Sequence, residues 1–88
     1  HFFRHESGRL VAVLARALGV SRLDLAEDVV QAALARALQV WARRGVPDDP
    51  SGWLYRTARN LAIDHLRRER VARRVLPEAA HGEADDAG

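Results

Sequence analysis

The sequence lacks cysteine, methionine and lysine altogether, and aromatic residues make up only 6% of it. A chain without cysteine forms no disulfide and offers no thiolate ligand to a metal, which fits a reducing cytoplasm. No apolar run approaches the roughly 18–20 residues that a membrane-spanning helix needs. We therefore expect a small cytoplasmic domain that is held together by its hydrophobic core alone.

The length of 88 residues predicts one domain with a small core. A scaffold of this size typically has only roughly 3–5 kcal/mol of net stability, so that a bound partner would add to it. The sequence begins with His1 rather than Met, and we expect it to be a segment of a longer protein.

Charge is distributed unevenly along the chain. The net charge is only +2, and the pI of 10.4 reflects the strong basicity of arginine as much as an excess of positive charge. Residues 53–74 contain seven arginines against two acidic residues, whereas residues 77–88 contain four acidic residues and no arginine. This polarity says more about the partners of the protein than its total charge does.

The first periodic segment predicts a helix from Phe2 to Leu18 that ends at Gly19, a residue common after helix C-termini. Residues 21–23 form the predicted connection to the next helix. The apolar side of the first helix is predicted to bury Phe3, Leu10, Val13, Leu14, Ala17 and Leu18.

The second helix is predicted to begin with Asp24 as its N-cap and Glu27 three residues later, an acidic variant of the capping box. Acidic side chains there also favour the positively polarised end of the helix. The predicted core stripe is Val30, Ala33, Leu34, Ala37, Leu38 and Trp41. The opposite side carries Glu27, Asp28, Gln31 and Ala35, which an ordinary solvated face would also explain.

Turn residues at positions 45–52 predict a loop, with Asp49 as N-cap and Pro50 as the first residue of a third helix that runs at least to Arg70. Its predicted buried side is Leu54, Tyr55, Ala58, Leu61, Ala62, His65 and Leu66. About half a turn away lies a second side, formed by Arg56, Asn60, Ile63, Arg67, Arg70 and Arg74. Charged residues then interrupt the apolar side, so the last turns are expected to project past the body or to fray.

No segment has the pattern of a strand, and no internal repeat is present. The sequence therefore predicts an all-α, compact three-helix domain over residues 1–75. Residues 76–88 have too little apolar content to fold and are predicted to form a flexible, disordered acidic linker.

The sequence gives little support to an enzyme. It has no glycine-rich phosphate loop, and none of its serines has an evident histidine-plus-acid arrangement. His1 and His5 have a spacing that could place two metal ligands on one helix, but a terminal remnant explains His1 better. We predict no catalytic residue, no cofactor and no metal site, and His65 is predicted to be a packed histidine.

The arginine-rich side of the third helix has the composition of a nucleic-acid surface. Arginine neutralises phosphates and stacks on bases. Trp53 and Tyr55 offer rings for unstacked bases, and Asn60 can hydrogen-bond a base edge. The combination favours single-stranded or opened DNA over an intact duplex. The alternative for the arginines is an ordinary solvated face. The alternative for Trp53 is a core position, which is also predicted for Trp41.

Two motifs together resemble region 2 of the extracytoplasmic-function (ECF) sigma factors, the promoter-specificity subunits of bacterial RNA polymerase. They are D-L-A-E-D-V-V-Q at residues 24–31 and W-L-Y-R-T-A-R-N-L-A-I-D-H-L-R-R at residues 53–68, on either side of a Trp-ended helix and a short loop. The resemblance covers residues 3–70. It implies a non-enzymatic module whose second helix docks on the clamp helices of the largest polymerase subunit. The loop and third helix would hold the melted non-template strand of the minus-ten promoter element.

The resemblance also implies which residues contact each partner. The polymerase-facing residues are Asp24, Glu27, Asp28 and Gln31. The residues that it places against promoter DNA are Trp53, Tyr55, Arg56, Arg59, Asn60, Arg67 and Arg68. We also expect the loop residues Asp48 and Ser51 to contact bases, because short polar side chains suit hydrogen bonding to a base edge. Asp64 is predicted to be structural and to pair with Arg67 or Arg68.

The chain departs from the family pattern in two ways. Ala32 stands where the family usually has an acidic residue, which removes one expected polymerase contact. The helix-turn-helix domain that reads the minus-thirty-five element is absent from this sequence, and the acidic tail resembles the start of the linker toward it. The resemblance leaves room for an anti-sigma factor as a further partner. The rival hypotheses are a helical protein-interaction module without DNA binding and a duplex-binding helix-turn-helix.

Overall fold

A computed structural model describes the backbone of residues 2–79 and the side chains of residues 3–74. It contains helix α1 (Phe2–Leu18), a short 3-10 helix (Val20–Arg22), helix α2 (Leu23–Arg44) and helix α3 (Pro50–Ala79). The described residues include no strand, which confirms the all-α, three-helix prediction. None of these helices combines the length and the apolar character that crossing a membrane requires.

Helix α1 has the predicted bounds, and Gly19 ends it as predicted. Gly19 adopts a φ of 104°, which glycine reaches without strain, and its N–H donates to the carbonyl of Ala15 at 2.8 Å. Leu10 and Leu14 are buried, but Val13 and Ala17 are exposed, against the prediction. The buried side is narrower than predicted because α1 packs mainly on α2 and meets α3 only briefly.

Helix α2 begins two residues earlier than predicted. Leu23 is its first residue, and Arg22 occupies the cap position without a capping side-chain hydrogen bond, because the 3-10 helix leads directly into α2. Asp24 is therefore not the N-cap. It lies inside the first turn, where its charge still favours the helix N-terminus.

The buried side of α2 is also turned relative to the prediction. It consists of Leu25, Ala26, Val29, Val30, Ala33 and Ala37. Leu38 was predicted to lie in the core, but 61% of its surface is exposed. The alanines of α2 and the buried Ala58 and Ala62 of α3 let the two helices approach closely. Leu38 is exposed because it lies about 100° further round the helix than the buried Ala37.

Helix α3 begins as predicted. The carboxylate of Asp49 accepts a hydrogen bond from the N–H of Gly52 at 3.1 Å, and the carbonyl of Asp49 accepts one from Trp53 at 3.0 Å. The helix packs through Leu54, Ala58 and Ala62, with Leu66 partly buried, and its residues 70–74 are exposed and extend past the body. It continues to Ala79, into the segment predicted as linker. Residues 80–88 lie outside the described part of the chain.

Asp49 and Gly52 are expected to be energetically coupled. A β-carbon at position 52 would lie 2.2 Å from Oδ2 of Asp49, so an alanine there displaces the capping carboxylate. Asp49→Ala should lower the free energy of unfolding by about 1 kcal/mol in the parent and by much less in a Gly52→Ala background. Urea denaturation of both single variants and the double variant measures this coupling.

Gly8 provides the matched control, because nothing lies within 4 Å of a β-carbon at that position. Gly8→Ala should raise the free energy of unfolding by up to about 1 kcal/mol through helix propensity alone. An equal loss from Asp49→Ala in both backgrounds would contradict the coupling.

Candidate functional site

The predicted polymerase-facing residues share one exposed side of α2. All four of them are exposed, and within the described residues none forms an ion pair. The four residues are Asp24, Glu27, Asp28 and Gln31. The carboxylates of the three acidic ones therefore present uncompensated negative charge to solvent.

Leu38 extends this side of α2 toward its C-terminus. It lies about three turns after Glu27, and Ala35 falls between them on the same side. An exposed leucine beside acidic residues adds an apolar contact point to a charged surface. Sequence reasoning missed it, because the same residue also fits the periodic core pattern.

The arginine-rich side of α3 is exposed as predicted. Arg56, Arg59 and Arg67 form no ion pair within residues 3–74. Arg68 does: its Nη1 lies 3.1 Å from Oδ2 of Asp64, which confirms a structural pairing for Asp64 and identifies Arg68 as the partner. Arg68 is thus partly neutralised, whereas the other three arginines are available to phosphates.

The side chain of Asn60 is exposed on this arginine-rich side, between Arg59 and Ile63. It makes no hydrogen bond with any side chain or backbone group in the part of the chain that the structure describes. A purely structural role as a cap or internal hydrogen-bond partner therefore has no support. The amide is available to an external partner.

Trp53 belongs to an aromatic cluster at one end of the core. Its ring lies 5.3 Å from that of Trp41 in an edge-on arrangement, and Trp41 lies 5.8 Å from Phe3. Both tryptophans are half-buried, in line with the core position favoured for each. The indole N–H of Trp41 is buried and has no hydrogen-bond partner among the described residues. A DNA contact by the exposed part of Trp53 stays a prediction.

The start of α3 and the first half of α1 line an open-sided cavity of about 290 Å³. Ser51 and Tyr55, both half-buried, line it from α3. From α1, the cavity is lined by Glu6, Arg9, Leu10 and Val13. Asp48 is exposed in the preceding loop and does not line this cavity.

Glu6 was not predicted as a functional residue. It is only 4% exposed, and no other polar or charged residue is buried among the described residues. Oε2 lies 3.4 Å from Nη1 of Arg9. Its position four residues before Leu10 could have identified it, because it places a carboxylate in the register of the apolar side.

A cluster of charged side chains joins the 3-10 helix to α3. Arg22 donates a hydrogen bond to Glu69, and Nε2 of His65 lies 3.2 Å from the other carboxylate oxygen. His65 was predicted to be packed, but 45% of its side chain is exposed, because the body of the domain ends near this turn of α3. Past Glu69, residues 70–74 are all exposed. The cluster therefore lies where α3 leaves the body.

The Arg22 hydrogen bond lowers the pKa of the Glu69 carboxyl, partial desolvation opposes that shift, and the Arg22 charge and His65 support it. A carboxyl with a lowered folded-state pKa stabilises the fold above its unfolded pKa, and this stabilisation is lost as the pH falls through the folded value. We expect the thermal midpoint of the parent to exceed that of Glu69→Gln near pH 7 and the difference to shrink in acid. Thermal denaturation from pH 7 to pH 3 measures this.

Glu27→Gln is the control for this experiment, since it removes an exposed carboxylate that has no ion-pair partner. A difference between parent and Glu69→Gln that stays constant over the whole pH range would exclude the Arg22–Glu69 pair as its source.

The described residues contain no group of three or more histidine, aspartate or glutamate side chains that could hold a metal ion. His1, one of the two histidines considered as metal ligands in the sequence, lies outside the described part of the chain.

Comparison with known proteins connects these surfaces to a family. The chain is 44% identical over 64 residues to an uncharacterized protein of Rhizobium meliloti (strain 1021), and the match covers 73% of this chain but 15% of that protein. No solved structure matches the chain. Residues 2–72 match the family Sigma-70 region 2, and this span includes both motifs and all three helices up to the projecting end of α3. The protein therefore belongs to the sigma-70 region 2 family.

Proposed function

We propose that this domain is the promoter-recognition module of an ECF-type sigma factor and acts in the bacterial cytoplasm without catalysing a reaction. Family membership supports a role in binding core RNA polymerase and promoter DNA. The observation that carries the proposal is the pair of exposed surfaces on adjacent helices, one acidic on α2 and one arginine-rich on α3. Two surfaces of opposite charge suit two different partners.

The acidic side of α2 is the proposed polymerase contact. A phosphate backbone would be repelled by the unpaired Asp24, Glu27 and Asp28, so a protein is the better partner. The clamp helices of the largest polymerase subunit are the partner that the family resemblance implies. Leu38 would contribute apolar contact area at the C-terminal end of the same side. Ala32 lacks the acidic side chain that the family usually has at its position and would not contribute that polymerase contact.

The arginine-rich side of α3 is the proposed contact for the melted non-template strand of the minus-ten element. Arg59 and Arg67 are exposed and unpaired, which suits phosphates, and the free amide of Asn60 suits a base edge. Arg68 would contribute less than its neighbours because Asp64 already pairs with it. Trp53 and Tyr55 expose only part of their rings at the start of the helix.

Binding to single-stranded DNA tests the proposal against its rivals. We expect weak, salt-sensitive binding that prefers one short sequence over its complement, with a slope of roughly −0.7 in log affinity against log salt for each phosphate neutralised. Fluorescence anisotropy with oligonucleotides selected from a random pool provides the measurement.

The same titration with matched duplexes separates the alternatives. A preference for duplex would favour a helix-turn-helix reader of double-stranded DNA. Undetectable binding to either form would favour a protein-interaction module whose arginines are only solvated.

A further inference from the structure

Glu69 is the last residue of α3, within the described side chains, that the body of the domain covers in part. Before it, Leu66 is the last apolar side chain of α3 that packs against the core in the same described range. After it, residues 70–74 are all exposed. Arg67 and Arg68 therefore lie on a turn of α3 that apolar packing alone does not hold in place.

An ion pair attaches this turn to the rest of the fold. Arg22, the cap residue of α2, donates a hydrogen bond to one carboxylate oxygen of Glu69. Nε2 of His65, one turn earlier on α3, lies 3.2 Å from the other oxygen. The side chains of Arg22 and Glu69 are each only 33% exposed. A partly covered pair in a small network holds its geometry better than an isolated, fully exposed pair does.

Glu69 points away from the proposed DNA contact. Positions 67 and 69 are separated by about 200° round the helix, and Arg67 is exposed without an ion pair within residues 3–74. A carboxylate also has the same sign of charge as a phosphate and would repel it. Glu69 can therefore favour a bound strand only indirectly, by holding α3 in place.

We propose that Glu69 is a positioning residue for the bound single strand: through Arg22 it holds the last supported turn of α3, so that Arg67 keeps a fixed place along the strand. The inference rests on the proposed function, because it requires that α3 binds single-stranded DNA. Without the pair, the turn after Leu66 is free to fray. Each phosphate contact by Arg67 must then offset the entropy lost in ordering that turn.

Removing the charge of Glu69 separates positioning from simple electrostatics. Glu69→Gln makes the domain more positive by one charge, which on its own would tighten binding to DNA. Loss of positioning has the opposite sign. We expect Glu69→Gln to bind the preferred single strand roughly threefold to fivefold more weakly than the parent, about the effect of losing one phosphate contact near 0.1 M salt. Fluorescence anisotropy with the 88-residue chain measures this, at a temperature where circular dichroism shows unchanged helical content.

A charge swap tests whether Arg22 is the residue through which Glu69 acts. Glu69→Arg brings two arginines together, Arg22→Glu brings two carboxylates together, and each change alone should weaken binding. The double variant has the net charge of the parent and a reversed pair, and its affinity should return to within about twofold of the parental value. Glu27→Gln is the charge control, because it makes the same change on α2 with no ion pair to lose, and it should bind at least as tightly as the parent.

Combination with arginine variants locates the effect along α3. In an Arg67→Ala background, Glu69→Gln should change the affinity by less than about twofold, because the contact that it positions is already gone. In an Arg59→Ala background its full effect should remain, since Arg59 lies between the buried Ala58 and Ala62, where the core holds the helix. A general loss of stability would affect both backgrounds alike.

The possible failures are distinguishable. If the parent binds no single strand, the proposed function fails together with this inference. If the parent binds but Glu69→Gln binds equally well or more tightly, only the inference fails. It also fails if the charge swap binds as weakly as its single variants, or if Glu69→Gln weakens binding equally in the Arg67→Ala and Arg59→Ala backgrounds.

Discussion

Binding to core polymerase should be lost when Asp28 is changed to Arg and Gln31 to Ala, with the helical content unchanged. Both side chains are exposed on α2 and lie off its buried side, so the fold has no contact to lose. Reversing a charge within an interface costs several kcal/mol, which corresponds to a loss of more than about a hundredfold in affinity. Co-purification and quantitative binding to a clamp-helix fragment measure the effect.

Asp48→Arg is the matched control, because it makes the same change of charge at an exposed position in the loop before α3. It should keep polymerase binding at the parental level. If the Asp28 and Gln31 double variant still co-purifies with polymerase as the parent does, the acidic side of α2 is only a solvated face.

The polar residues on α3 are expected to have two different roles in DNA binding, contact with a base and contact with phosphates. Asn60→Ala should cost about 1–3 kcal/mol in binding to the preferred strand and little in binding to a scrambled one, because its amide is free to contact a base. Arg59→Ala and Arg67→Ala should instead weaken both strands alike and reduce the salt slope by roughly 0.7 each. Competition between preferred and scrambled oligonucleotides at several salt concentrations measures both effects.

Two comparisons control this experiment. Gln39→Ala removes an exposed amide from α2 and should leave DNA binding unchanged. Arg68→Ala should have a smaller effect than Arg67→Ala, since Asp64 already neutralises Arg68 in part. A loss from Asn60→Ala that is equal for both strands and follows a loss of thermal stability would mean that Asn60 is structural.

The end of α1 and the start of α3 were predictable from the sequence, whereas the start of α2 was not, because the 3-10 helix leads into it without a side-chain cap. Gly19 and the Asp49–Pro50 pair fix the end of α1 and the start of α3 through backbone conformation and capping, which depend only on near neighbours. The burial of Leu38 was predicted wrongly because helical periodicity allows several neighbouring stripes. Which stripe is buried depends on tertiary packing, here on the close approach of α2 and α3 through their alanines.

The features of the candidate surfaces were likewise predictable only in part. The exposure of the acidic side of α2 and of the arginines on α3 was predictable, because charged residues stay at the surface unless they are paired. The Arg22–Glu69 pair joins residues 47 positions apart, and no sequence pattern links them. The cavity around Glu6 depends on how closely α1 approaches the start of α3, which is likewise a property of the folded chain.

We propose that one small domain joins core polymerase to single-stranded promoter DNA through two separate helices. Immobilised core polymerase and a labelled preferred oligonucleotide test it, with the 88-residue chain added as the only possible bridge. We expect capture of the oligonucleotide in the presence of the parent, loss of capture with the Asp28→Arg and Gln31→Ala variant, and loss of sequence preference with Asn60→Ala. Capture that is equally strong without the chain, or unchanged with both variants, would contradict it.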